Sequence, residues 1–270
     1  MTLGTKPAHL LSPAMTKRRV LCAVMLTALA WPLVAAARDA GDPIRMAYDE
    51  GDVAGIVNIF PKDGSEPIGV IVYGQRRKGD TLETKRTAYF NDGSSDEDVA
   101  VAKVGKTLRT VRGESIIRDT AGQPIVDMHI DVGEGRVWGF YGQGKDRSEF
   151  DDHGEIPAGT YFGPLINLVL KNFDANAEGG KLVFHTVVPT PSPRKLDMEV
   201  SRGDATTIAR PGHPVSVMQY VMRVTINPIL NPIVHMVAPE TNFFQTRDTP
   251  PAMMRFAGPR NYAGQEIRIE

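Results

Sequence analysis

Ile125-Val126-Asp127-Met128-His129-Ile130-Asp131-Val132 alternates without a break from Val126 onward. Val126, Met128, Ile130 and Val132 fall on one side of an extended chain, and Asp127, His129 and Asp131 on the other. A period of two marks a strand of an antiparallel sheet with one packed face and one wet or site-lining face. Upstream, the strand-like runs 53–60, 68–73 and 84–90 end at Pro61-Lys62-Asp63-Gly64, at Gly74 and at Asn91-Asp92-Gly93. Downstream, Gly133-Glu134-Gly135 makes the next turn. Such residues recur at turns because they supply a positive or preset φ. Short strands at this spacing predict an antiparallel meander over residues 53–141.

The chain changes character after the acidic loop 146–159, the best candidate for a boundary. Gly163-Pro164-Leu165-Ile166-Asn167-Leu168-Val169-Leu170-Lys171-Asn172-Phe173 predicts a short helix, with Pro164 suited to its first position. Apolar residues occupy nearly its whole circumference, so it should be buried. Strands are expected again over 181–188, 194–200 and 215–224. Ile226, Ile229, Leu230, Ile233, Val234 and Val237 then take helical spacing, behind Asn227-Pro228 and Asn231-Pro232. Pro232 lacks the N–H of an interior position, so the regular helix should start near it and stop at Pro239. The tail reads as extended segments ending in a strand. The expectation is therefore one α+β domain over 38–270, a mostly antiparallel, curved sheet packed around one or two short hydrophobic helices.

Residues 1–37 read as a leader. Lys17, Arg18 and Arg19 precede an apolar run over 20–33, and Ala35-Ala36-Ala37 offers small residues for cleavage. Met15 is the natural start for such a leader. The run falls short of the roughly 20 residues that span a bilayer. Removing 1–37 takes away Lys6, Lys17, Arg18 and Arg19 and no acidic residue, which moves the formal net charge from −1 to −5. Cys22 is the single cysteine, so the mature chain has no disulfide, thiolate nucleophile or cysteine metal site. The mild acidity leaves no electrostatic footprint for nucleic acid. A periplasmic or secreted location follows from the leader.

Asn227-Pro228-Ile229 to Val237, Pro250-Pro251 to Phe256-Ala257-Gly258-Pro259 and Tyr262-Ala263-Gly264-Gln265-Glu266-Ile267 resemble the ending of uncharacterised exported proteins of Gram-negative bacteria. That resemblance covers the last fifth of the chain and implies no activity. The layout also resembles periplasmic lipid-carrier half-barrels, in which a curved sheet wraps hydrophobic helices, although no motif of those carriers is matched.

Candidate sites follow from side-chain chemistry. Asp127, His129 and Asp131 share a strand face, about 7 Å apart along it, and offer oxygen and nitrogen ligands to a metal. Glu149, Asp151, Asp152, His153 and Glu155 offer oxygens to Ca²⁺ but lack the ordered spacing of a calcium loop. No Gly-x-Ser-x-Gly elbow is present, so nucleophilic catalysis has no support. Met218, Met222, Met236, Met253 and Met254 gather with Phe243, Phe244 and Phe256 near the end, and methionine suits forgiving binding surfaces. Asn227, Asn231 and His235 share one helix face and could orient a polar headgroup. The expected ligand site is Met218, Met222, Asn227, Ile229, Asn231, Ile233 and His235, around a cavity of at least about 300 Å³. The favoured function is non-catalytic binding of an apolar or amphipathic molecule, lipid included, without cofactor. The alternatives are a metal-assisted hydrolase built on Asp127-x-His129-x-Asp131 and a structural or adaptor protein of the cell envelope with a protein partner.

Overall fold

The computed structural model describes residues 39–48, 51–174, 180–191, 193–210, 212–226, 231, 240–261 and 264–270. Residues Ala37–Glu270 form one compact unit. Its strands are β1 (Val53–Pro61), β2 (Gly69–Lys78), β3 (Thr81–Phe90), β4 (Ser95–Val104), β5 (Leu108–Arg118), β6 (Pro124–Asp131), β7 (Arg136–Tyr141) and β8 (Ser148–His153). After the helix α1 (Leu165–Lys171) come β9 (Lys181–Val188), β10 (Arg194–Ile208), β11 (Val215–Thr225), β12 (Thr241–Thr246), β13 (Met253–Pro259) and β14 (Glu266–Ile269). All fourteen lie in one sheet, ordered β8-β7-β6-β5-β4-β3-β2-β1-β14-β13-β12-β11-β10-β9. Two meanders therefore meet where β1 pairs with β14.

This corrects the expected α+β class. The body is nearly all antiparallel sheet, with α1 the one helix that the described residues define from end to end. The buried helix lies where its pattern predicts, but the second candidate, apart from Ile226 and Asn231, lies outside the described residues. The acidic stretch 146–159 is corrected as well, because it contains β8, an edge strand wetted on both faces. The alternating stretch 125–132 forms β6, with Val126, Met128 and Ile130 buried and Asp127, His129 and Asp131 half-buried opposite them.

The sheet curls. Laid flat, its edge strands β8 and β9 would be about 62 Å apart at the usual strand spacing of about 4.8 Å. Instead the Ser148 hydroxyl at the start of β8 donates to the Pro191 carbonyl beyond β9 at 3.2 Å. The chain leaving β8 also reaches β9 directly. Tyr161 N–H donates to the His185 carbonyl at 2.8 Å, and His185 N–H donates to the Gly159 carbonyl at 3.1 Å. Among the described residues no ladder joins β8 to β9, so the result is an incompletely closed barrel.

The connection from β8 to β9 fills much of the inside. Leu165, Leu168, Val169 and Leu170 of α1 are buried with Leu82, Leu108, Met128, Phe184 and Val200 of the surrounding strands. Each fully buried side chain of this size contributes about 1.5–3 kcal/mol of transfer free energy. Tyr161 pins the filling to the wall: its hydroxyl accepts from Ile44 N–H at 2.6 Å and donates to the Leu108 carbonyl at 3.0 Å. Asn172, just past α1, accepts from the N–H groups of Ala47 and Tyr48 at 2.8 and 3.0 Å. Close approach explains two glycines. A Cβ on Gly113 would stand 2.6 Å from the Phe162 ring, and Gly139, at φ +142, would bring one within 1.8 Å of the Asp127 carbonyl.

Candidate functional site

Strand register carries side chains around the inner wall in rows. One row runs Gly55, Tyr73, Arg86, Asp98, Ser115 across β1 to β5. Next to it run Val57, Ile71, Ala88, Asp96 and Ile117. Where α1 and its flanks cover the wall, these positions are buried. On β1 they are not: Val53 and Val57 point inward yet keep 44% and 37% of their surface exposed. The inner face of β1 at Val53 and Val57 is thus left open, while Ile71, Gln75, Leu82, Thr84 and Ala88 on β2 and β3 are buried.

That sector has an apolar floor. Ile59, Ile71, Ala88 and Ile267 form a second core cluster, with Phe90 and Phe256 packed against it. Arg260, from the turn between β13 and β14, crosses below it to Asp96 of β4 with two hydrogen bonds of 2.9 and 2.7 Å. Its guanidinium also stacks 3.5 Å from the centre of the Phe90 ring. A bidentate pair of this kind fixes geometry as well as charge.

A polar group sits between the filled and open sectors. Asp98 pairs with Arg86 and accepts from the Ser115 hydroxyl at 2.8 Å. Gly163 seals it from the helix side, since a Cβ there would come 3.0 Å from the Asp98 Cβ. Arg86 keeps about a third of its side chain exposed towards the open sector, and its Nε is buried without a hydrogen bond among the described residues. Beside it the Tyr73 hydroxyl donates to Gln75 at 2.9 Å. The Ser115 hydroxyl faces a carboxylate already engaged by an arginine, with no histidine in the row. The arrangement therefore lacks an activated nucleophile. It offers an apolar floor and one partly exposed guanidinium.

Three of the predicted ligand-site residues are among those described. Met222 is buried in the core around α1, and Met218 is buried with its sulfur 3.3 Å from Arg202 Nε. Asn231 accepts from the Ile226 N–H at 2.7 Å, which is a local turn contact. Asn227, Ile229, Ile233 and His235 lie outside the described residues, as does the cavity expected beside them.

Asp127, His129 and Asp131 do share the outer face. His129 Nε2 lies 2.8 Å from Asp127 Oδ1, and its ring stacks on Trp138 with centroids 5.2 Å apart. Asp131, however, accepts from Glu134 N–H at 2.9 Å in the next turn. No group of three His, Cys, Asp or Glu side chains among the described residues is placed to hold a metal. The acidic cluster is not a cation loop either. Asp151 is gripped by Arg136 at 2.8 and 2.9 Å, and that arginine, aided by His153 and against the opposing effect of burial, holds its carboxyl below the usual range. Glu149 pairs with Arg147 at 3.0 Å. An open depression of about 410 Å³ lies there at the outer edge of the sheet, lined by Trp138, Phe140, Arg147, Glu149 and Asp151 among others.

The rows that matter were hidden in strands whose polar residues point inward. Thr84 and Arg86 share a face with Leu82 and Ala88, and Asp96 and Asp98 share one with Ala100. Charged residues in phase with apolar ones are the signal that would have found them.

The chain is of the antiparallel, barrel-like class, with an inner face partly filled by one connection. No family model matches it, and no curated protein matches it significantly. Among solved structures it is similar to the beta-barrel-like protein of domain of unknown function DUF1849 from Brucella abortus. The identity is 11% and the TM-score 0.44, over 84% of this chain and 96% of that one. No helix among the described residues is long and apolar enough to cross a membrane.

Proposed function

We propose that this is an exported, periplasmic or secreted protein that binds an apolar or amphipathic molecule, lipid included, against the inner face of β1. The observation that supports this reading is the exposure of Val53 and Val57 on the face whose other apolar residues are buried. Solvent contact with inward apolar residues is costly unless something covers them. A hydrocarbon chain laid over Val53 and Val57 would remove that contact. Arg86 at the margin would meet a polar or anionic head, since its charge is only partly screened by Asp98. Export rests on Lys17-Arg18-Arg19, the apolar run after them and Ala35-Ala36-Ala37. The Ala37–Glu270 unit would then be the working body, with cleavage near Arg38.

The test is titration of the mature chain with an environment-sensitive apolar fluorophore, followed by displacement with a phospholipid. Saturable uptake is expected, weakened at least tenfold by Val57→Glu with no change in far-UV circular dichroism. Uptake that is absent, or that survives Val57→Glu unchanged, would remove the reading. Arg86→Met should weaken displacement by an anionic lipid more than by a neutral one.

A further inference from the structure

The apolar side chains left exposed gather on one part of the sheet. Seven large apolar residues among those described are exposed, and six of them lie on β1 to β3. Val53 and Val57 belong to the inner wall. Alternation turns the other four, Ile56, Val70, Val72 and Tyr89, to the outer face, opposite Val57, Ile71 and Ala88. Register sets them side by side: Ile56 pairs with Val72, and Val70 with Tyr89. β2 and β3 have neighbours on both sides, so the exposure of Val70, Val72 and Tyr89 owes nothing to a sheet edge. The wet face of an antiparallel sheet is ordinarily polar. Here Ala54, Asn58, Gly74 and Thr87 take the adjoining outward positions, and none carries a charge.

Charge begins at one end of this patch. Beyond Gly74, the outward residues of β2 are Arg76 and Lys78, both exposed and without a carboxylate partner among the described residues. Glu83 stands opposite Arg76 in register but makes no ion pair with it. Lys85, next to them on β3, is paired with Glu97 at 2.8 Å. Area and charge decide between two occupants. Ile56 is 72% exposed and Tyr89 52%, and with the two valines the patch offers on the order of 300 Å² of apolar surface. A stable dimer buries about 800 Å² on each partner. A second copy would therefore have to bury the unpaired Arg76 and Lys78 as well, which is costly. A lipid surface takes a small apolar patch and meets cations at its headgroups.

We propose that the outer face of β1 to β3 docks reversibly on an anionic lipid surface. Ile56, Val70 and Val72 enter the margin of the acyl chains. Tyr89 sits among the headgroups, where an apolar ring with a polar tip is at home. Arg76 and Lys78 reach lipid phosphates at the patch's charged end. Four side chains give a reversible attachment, not an anchor. β1 serves both faces, with Ile56 outward and Val57 inward. The docking rests on the outward residues alone and is independent of ligand binding on the inner face.

The experiment uses the mature chain and two vesicle preparations, one of equal parts phosphatidylethanolamine and phosphatidylglycerol, the other of phosphatidylcholine alone. Co-sedimentation with the anionic vesicles is expected, and Val72→Glu should reduce it by roughly tenfold or more. Replacing Arg76 and Lys78 by glutamine should weaken it roughly fivefold for each charge removed, on the anionic vesicles only. A Tyr89→Trp variant should gain a fluorescence component quenched by lipids brominated along their acyl chains, a readout that needs no altered charge. Val57→Glu, on the inner side, should leave sedimentation unchanged. Val72→Glu should leave uptake of the apolar fluorophore unchanged, so the two readings fail separately. Absence of sedimentation with anionic vesicles would overturn the proposal. So would sedimentation equal on the two preparations or indifferent to Val72→Glu, or a dimer that Val72→Glu dissolves in place of vesicle binding.

Discussion

The inner wall at β4 to β6 and the inner wall at β1 are built from similar strands and end differently. Ala100, Met128 and Ile130 are sealed under Phe162 and α1. Val53 and Val57, with comparable side chains, remain in contact with water. The strands themselves do not explain this. One connection, between β8 and β9, carries the helix that fills the barrel, and it reaches only part of the wall. In a curled sheet, where the core lies depends on what the longest connection brings inside. Where it does not reach, at Val53 and Val57, the wall stays open to solvent.

Substitutions can break or sharpen that contrast. The largest effect is expected in the filled sector. Leu168→Ala should cost about 2–5 kcal/mol in denaturant titration, through lost burial and the cavity left behind. A loss below roughly 0.5 kcal/mol would show that the helix is not the core. Tyr161→Phe comes next, at about 1–3 kcal/mol, because it strands the buried Ile44 N–H and Leu108 carbonyl. A variant as stable as the parent would mean that water replaces the hydroxyl and the wall is looser than its burial indicates. In the open sector Val57→Ala should cost about 0.5 kcal/mol or less, since over a third of the side chain is already exposed. A cost near that of Leu168→Ala would erase the distinction between the sectors.

The smallest effect is a pH effect at the sheet margin. Asp119 accepts from the Gln143 side chain and from the N–H groups of Gln123 and Ala121, and these hold its carboxyl below the ordinary 3.8. A carboxyl lowered by folding adds stability that is complete above its unfolded value and is lost as pH falls through the folded one. Asp119→Asn should therefore flatten the decline in thermal midpoint below about pH 4, while leaving neutral behaviour nearly unchanged. An unaltered acid limb would assign that decline to other carboxylates.

Much of the sheet was legible in the sequence. β1, β6, β9 and β11 follow from period-two patterns and turn residues, and α1 from Pro164 and its apolar circumference. β8 escaped because Ser148-Glu149-Phe150-Asp151-Asp152-His153 is an edge strand wetted on both faces, which looks like a loop in composition. β12 escaped because Phe243 and Phe244 fall on opposite faces and break the alternation. The α+β expectation failed for a related reason: strong helix signals drew weight away from weak strands. The site was less legible still. Met222 is buried in the core around the helix, and Met218 is buried against Arg202. Arg86 and Asp98 gave no local signal, since their meeting depends on the pairing of β3 with β4.

The topology also bears on how this chain assembles and comes apart. Among the described residues, twelve of the thirteen ladders join strands that are consecutive along the chain, and only β1 with β14 does not. Hairpins can zip locally and early, while contacts distant in sequence wait on a large loss of chain entropy. The two meanders are thus suited to form separately, with the short β1–β14 ladder closing last. What closes last with few bonds also opens most easily. Amides of Asn58 and Glu270 should accordingly exchange by local opening well before those of β10, which is held on both sides. If they exchange only with global unfolding, the two meanders are a single cooperative unit.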